Sequence, residues 1–475
     1  MKNIFLNHAR SFFFQAVLWV LLLTIFCGCT TVRDGKETGQ STAARTAASG
    51  SESFPESTGT EASQIPDSSR IETEPPTEPA STHYGPSFSD QPLLKTKLDY
   101  VQDERIPEQA AESVLLEEGC LDQDTYSPVF MEGGWILGAD DERRIFYIGS
   151  RENDVKLVDA AGDESVIYEK LTDKDASQIL DARWDGGNYV VWTEAPNPPE
   201  GPLDIAEYHA DGWSLWLLDL SDKSKTCIQR DDGIQPPLDS LYQHYAPSIA
   251  IADHFIAYLT FAERADGVVV ETVMLYDIET GERRTLSQLH GDYTACGMSR
   301  PTVGGGYVAW AEAFLRPSDD LYEGYISLYD LTTGETVTLD TEENVINPVL
   351  KDDWLIAVNQ PNETYYDGEI VAYHMPEQTW RYKVSRYYPA YYQSRPEGFG
   401  LSDISTWGKY AAWSGQGLEN VTLLNLEDGT RIELAKNRTE ITTVTLFPGG
   451  LLIWVEQLVV DGKIELDRHF CFLAP

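Results

Sequence analysis

Positive charge is what this chain most lacks. Lys and Arg number 35 against 77 Asp and Glu, a formal net charge of −42 over 475 residues. A phosphate-binding face needs clustered Lys and Arg, so this balance argues against nucleic acid or anionic headgroups as partners. Catalytic signatures are missing too. There is no Walker-type Gly-rich loop, zincin helix motif, Gly-x-Ser-x-Gly elbow or paired Cys-x-x-Cys, and no Asp-x-Asp-x-Asp-Gly calcium loop. His209, His244, His254, His290 and His374 lie in different units without ligand spacing. No metal and no cofactor is expected. Met is scarce, with five in all, whereas Trp and Tyr are plentiful at 12 and 25. Bulky aromatics in such number suit half-buried pleated faces.

The first segment reads as an address. Lys2 and Arg10 precede an apolar run from Phe12 to Phe26, the charged and hydrophobic regions of a secretory signal. The run ends at Phe26-Cys27-Gly28-Cys29, which resembles the bacterial lipoprotein signal. That resemblance implies that residues 1–28 are removed and that Cys29 is lipidated. An uncleaved anchor is the alternative, although the run is short for a bilayer core of about 30 Å. Either places the protein at the cell membrane on its extracytoplasmic face. Residues 29–95 follow, rich in Ser, Thr, Glu, Pro and Gly. Such a composition buries too little apolar surface to offset chain entropy, so a disordered linker is expected. About 60 flexible residues span roughly 40 Å, a reach that resembles the stalks of Gram-positive envelope lipoproteins.

Residues 96–475 carry a repeat. Seven apolar words recur as candidate second strands, Ile145–Ile148, Tyr189–Trp192, Phe255–Tyr258, Tyr307–Trp310, Trp354–Ala357, Tyr410–Trp413 and Leu451–Trp454. A third-strand word recurs after them, as in Leu217-Leu218-Asp219, Leu275-Tyr276-Asp277, Leu328-Tyr329-Asp330 and Leu423-Leu424-Asn425. A Gly-bearing turn follows at Thr280-Gly281, Thr333-Gly334 and Asp428-Gly429, supplying the conformations a tight hairpin requires. One small sheet cannot bury both its faces, but a circle of sheets can. The fold class is therefore all-β, a β-propeller of seven blades. Six or eight are the alternatives, because Trp135 to Gly138 offers another strand in blade one. Words of the form Tyr-Val-Ala-Trp, loop, Leu-Tyr-Asp-Leu, Thr-Gly-Glu resemble the TolB-like and related lipoprotein propellers, over residues 125 to 475. The resemblance implies a fold and is nearly silent on function.

The last unit lacks an outer strand. Ser113 to Leu116 or Tyr126 to Met131 could supply it from the other end, after a possible helix at Glu108 to Leu116. Outside the cytoplasm Cys120, Cys227, Cys296 and Cys471 could form disulfides. Cys120 with Cys471 is favoured as a clamp on the closing blade, and free thiols are the alternative.

The second strands end at aligned places held by Ser150, Glu194, Thr260, Glu312, Asn359, Gly415 and Glu456. Long polar loops follow in blades two to five and should crown one rim, where binding is usually placed. The candidate ligand-binding residues are Glu194, Tyr208, Glu312, Asp319, Asp320, Tyr322, Tyr365, Tyr366 and Glu456. Aromatic rings beside carboxylates suit sugars, cationic peptides or proteins. No catalytic residue is assigned. The expected function is a membrane-anchored extracytoplasmic module binding an envelope protein or glycan without chemistry. The alternative is a propeller glycoside hydrolase or lyase working with channel-mouth carboxylates, Glu194 and Glu312 first. Whether the protein is an enzyme, and its oligomeric state, stay open.

Overall fold

The computed structural model describes residues 92–98, 108–109, 115–121 and 134–473, apart from 150–151, 160, 174–175, 198–211, 232, 235–246, 290–295, 316–321, 360–368, 386–403, 414–420, 435–439 and 461–462. The secretory signal, Cys29 and the linker up to Gln91 lie outside the described residues.

Seven antiparallel sheets follow one another along the chain. Blade one spans residues 134–168, blade two 177–230, blade three 248–288, blade four 296–340, blade five 345–385, blade six 405–434 and blade seven 440–473. The first strands of successive blades touch one another around the circle. Blade seven meets blade one through a 3-10 turn at Pro448–Gly450 packed on Gly134–Ala139. This is the seven-bladed β-propeller that the repeat implies.

Alternation along each second strand explains why the ring closes. Ile256 and Tyr258 face blade two, whereas Ala257 and Leu259 face blade four. Seven apolar clusters result, one in each seam. Ala139, Ile145 and Tyr147 meet Leu451, Ile453, Phe470 and Phe472 in the last of them. Each sheet thus buries both faces against its neighbours, with Trp192, Trp310, Tyr147 and Tyr258 filling the seams.

The third-strand word has a local cause. Asp277 Oδ1 accepts the N–H groups of Glu279 and Thr280 at 2.9 and 3.1 Å, and Asp330 Oδ1 those of Thr332 and Thr333 at 2.7 and 3.0 Å. These side-chain turns hold the hairpins. Gly281 and Gly334 complete them at φ 70° and 73°, a region costly for other residues.

Three expectations need correction. In blade one, Tyr147 faces the preceding blade and Ile148 the following one, so the repeat word starts one residue earlier and Gly149, not Ser150, is the aligned strand end. A shift of one residue reverses the facing of every side chain. Trp135 to Gly138 is not a competing strand but part of the first strand of that blade, Gly134–Ala139. Of the span Glu108 to Leu116, read as a possible helix, the described residues are strand. Glu108–Gln109 instead adds in parallel to the outer edge of blade six, and Leu115–Leu121 pairs antiparallel with Lys463–Leu473.

Leu115–Leu121 is the borrowed outer strand of blade seven. It overlaps the first of the two proposed donors, and Tyr126 to Met131 lies outside the described residues. Leu93–Lys95, within the span read as linker, is also a strand, added in parallel to the outer edge of blade four. Its neighbour Leu98 is buried in the seam between blades four and five. The segment ahead of blade one thus touches the outer edges of three blades.

Candidate functional site

In an antiparallel blade, the connections between second and third strands and those between blades share one end of the ring. The polar residues at this end are set by the strand ends beneath the loops.

In blade four, Glu312 is 1% exposed. Its Oε1 accepts from Trp310 Nε1 at 3.4 Å and from Ser287 Oγ of blade three at 3.3 Å. Opposite stands Glu271, on the third strand of blade three and also 1% exposed. Its Oε2 accepts the Met298 N–H at 2.6 Å. Burial pushes the Glu271 carboxyl up to about 8; the Met298 N–H works against that rise and the negative charge of Glu312 adds to it. Two carboxylates in one dry seam cannot both be charged cheaply, so one keeps its proton.

The first strand of blade four shapes this spot. It is broken into Cys296–Met298 and Thr302–Gly304, both paired with Tyr307–Leu315. The break falls at Ser299–Pro301, where proline lacks the donor a ladder needs. Beside the break, Ser299 Oγ accepts the Ala311 N–H at 2.9 Å and the Ser299 N–H donates to the Ala311 carbonyl at 2.8 Å.

Blade two has the same pairing of indole and carboxylate. Glu194 is partly buried and accepts from Trp192 Nε1 at 3.2 Å and Ser214 Oγ at 3.5 Å. Lys225 Nζ lies 5.0 Å over the Trp192 ring and 4.3 Å over Trp216, and donates to the Leu171 carbonyl at 2.7 Å. Burial pushes this ammonium down, and Glu194 opposes the shift. In blade five, Asn359 is 1% exposed, and its Nδ2 donates to Glu343 at 2.5 Å and Glu369 at 2.9 Å. Glu369 also meets Lys383 at 2.8 Å.

The aligned strand ends of blades two, four and five are therefore fixed by hydrogen bonds within and between the blades. Glu194 and Glu312 sit in blades two and four, each tied to the indole two residues before it. Tyr208, Asp319, Asp320, Tyr365 and Tyr366 lie outside the described residues, while Tyr322 and Glu456 are placed on strands by backbone only. Sequence reasoning missed Glu271, though a lone Glu inside Val268-Val269-Val270-Glu271 is a visible signal. It also missed the Trp-x-Glu word, present as Trp192-Thr193-Glu194, Trp310-Ala311-Glu312 and Trp454-Val455-Glu456. Residues two apart on a strand share a face. Among the described residues, no group of three His, Cys, Asp or Glu is placed to hold a metal ion.

Cys471 is disulfide-bonded and buried. Cys120 stands opposite it in the ladder of the closing blade. Cys227 is a free thiol.

No family model matches this sequence, and no curated protein does. Solved structures similar to the chain include propeller proteins. TolB from Acinetobacter baumannii aligns with 65% of this chain and 65% of its own, at 11% identity and a TM-score of 0.36. The β-propeller domain of the trilobed protease from Pyrococcus furiosus aligns over 70% of this chain and 97% of its own, at 10% identity and 0.44. An oligogalacturonate lyase from Vibrio parahaemolyticus covers 76% and 91%, at 10% identity and 0.46. The chain thus spans about two thirds of the TolB chain it aligns with. Likeness at this level concerns the fold alone, since propellers host unrelated activities.

Proposed function

We propose that this protein is a membrane-anchored extracytoplasmic propeller whose rim loops bind an envelope protein or glycan without covalent chemistry. The observation that supports this reading is the state of the strand-end residues. Glu312, Glu194 and Asn359 are held in hydrogen bonds inside the blades, which makes a stiff base from which residues 198–211, 316–321 and 360–368 emerge. Loops on a rigid frame present a binding surface at small entropic cost. The alternative, glycan cleavage by channel-mouth carboxylates, draws no support from Glu312. A general acid must reach the glycosidic oxygen, and this carboxylate is closed into a seam. In this reading Cys29 carries the lipid and Cys120 is the partner of Cys471.

The test uses the full chain with Asp319→Ser, Asp320→Ser and Tyr322→Ala combined. Retention on isolated wall glycan and cross-linking to solubilised envelope proteins should fall at least about tenfold in one of the two, with the melting temperature kept. Unchanged retention and cross-linking would remove the rim as the binding face. Replacing Cys29 by Ser should move the protein from the membrane to the soluble fraction.

A further inference from the structure

The opposite end of the ring carries a second feature. There the hairpins between first and second strands of blades five and six, and the turn after the third strand of blade six, line a half-open cavity of about 240 Å³. Lys351, Asp352, Asp353 and Trp354 form one side, with Lys409 and Glu427 on the other. Its volume is less than the ~300 Å³ where drug-sized sites begin. A single small ring is the largest occupant it suits.

Its floor is built. Trp354 is half-buried and stacks on Tyr382 with centroids 5.3 Å apart and planes 23° from parallel. His374 supports it from another side at 4.7 Å and 51°. Tyr382 is fixed in turn by Gly429, where an added Cβ would come within 2.4 Å of the phenol ring. The wall is held equally closely. An added Cβ at Gly305 of blade four would come within 1.9 Å of the Asp352 carbonyl, so the Asp352 turn has no room to retreat. Among the described residues no hydrogen bond engages Trp354 Nε1, and that atom is not sealed from solvent.

We propose that this cavity binds a neutral pyranose ring, with an apolar sugar face on Trp354 and hydroxyls toward the surrounding charges. Three carboxylates and two ammonium groups share the rim. Lys351 is already matched to Asp352 at 3.1 Å, and Lys409 lies 5.6 Å from the Tyr410 ring centre. Beyond the Lys351–Asp352 pair, Asp353, Glu427 and Lys409 remain, so neither a cation nor an anion finds a rim of one opposite sign. A hydroxyl both donates and accepts, so it pairs with either sign, and hydrogen bonds to charged partners are the stronger kind. The site lies on the other face from the rim loops, so its fate is independent of theirs.

Saturation-transfer NMR on the full chain in detergent micelles tests this, with methyl β-D-glucopyranoside and N-acetylglucosamine as neutral probes and glucosamine and glucuronate as charged ones. Transfer to ring protons of a neutral probe is expected, at millimolar affinity. Asp353→Ala and Lys409→Ala, both on turns, should each weaken it about fivefold. Trp354→Phe should weaken it further, with its melting temperature measured to separate packing from binding. No transfer from any probe, transfer unaffected by Asp353→Ala and Lys409→Ala, or preference for a charged probe would each overturn the proposal.

Discussion

Glu271 shows how a single side chain can couple the fold to pH. Its carboxyl is raised from 4.5 to about 8 by burial. Between those values the folded chain keeps a proton that the unfolded chain has released. Stability therefore falls as pH rises through that window, by up to about 1.4 kcal/mol per pH unit from this group, and levels off above it. Replacing Glu271 by Gln should flatten that part of the curve in chemical denaturation between pH 5 and pH 8; an unchanged slope would exclude Glu271 as its source. A carboxylate in a run of valines is conspicuous in the sequence. What it faces is not, because Glu312 is 41 residues away in the next blade and is brought to it only by the ring. The same limit applies to the strand-end residues. Alignment finds Glu194 and Glu312, but only packing shows that each is tied to the indole two residues before it.

At the scale of elements, the second and third strands were legible because their apolar alternation and their Asp-Gly turns each have a local cause. Blade one slipped by one residue because Ile145 to Ile148 is apolar throughout, and an unbroken run does not say which side faces which neighbour. The parallel additions Leu93–Lys95 and Glu108–Gln109 carry no period, being three and two residues long. Their signal is the blade edge that receives them. Replacing Leu98 by Ala should cost about 2–4 kcal/mol, because it opens the seam between blades four and five; a thermal melt that barely moves would mean the segment is peripheral. Gly449 marks the junction of blades seven and one. It sits at φ 77°, and an added Cβ would lie 1.9 Å from the Ala139 carbonyl. Gly449→Ala should destabilise by about 2–4 kcal/mol, read in the same melt.

At the largest scale the seven blades form a ring held at seven apolar seams, and a strand from before the first blade completes the last. The blade number was readable from the repeat, and the need for a borrowed strand from the strand missing at the C-terminal end. The donor was not, since Leu115 to Leu121 contains Glu117, Glu118 and Gly119 and has little strand character of its own. A Cys120–Cys471 bond would tie that donor to the last blade across a long loop, a constraint of about 2–4 kcal/mol. Reduction of the native protein, or Cys471→Ser, should lower stability by that amount. Peptide mapping without reductant should recover the two cysteines together.

In the proposed function, binding belongs to the rim above the strand ends. Hydrogen exchange of the full chain, with and without isolated wall glycan and solubilised envelope proteins, tests it most directly. Protection should appear in residues 198–211, 316–321 and 360–368. Protection confined to the outer edges of the blades, or none with either fraction, would contradict it.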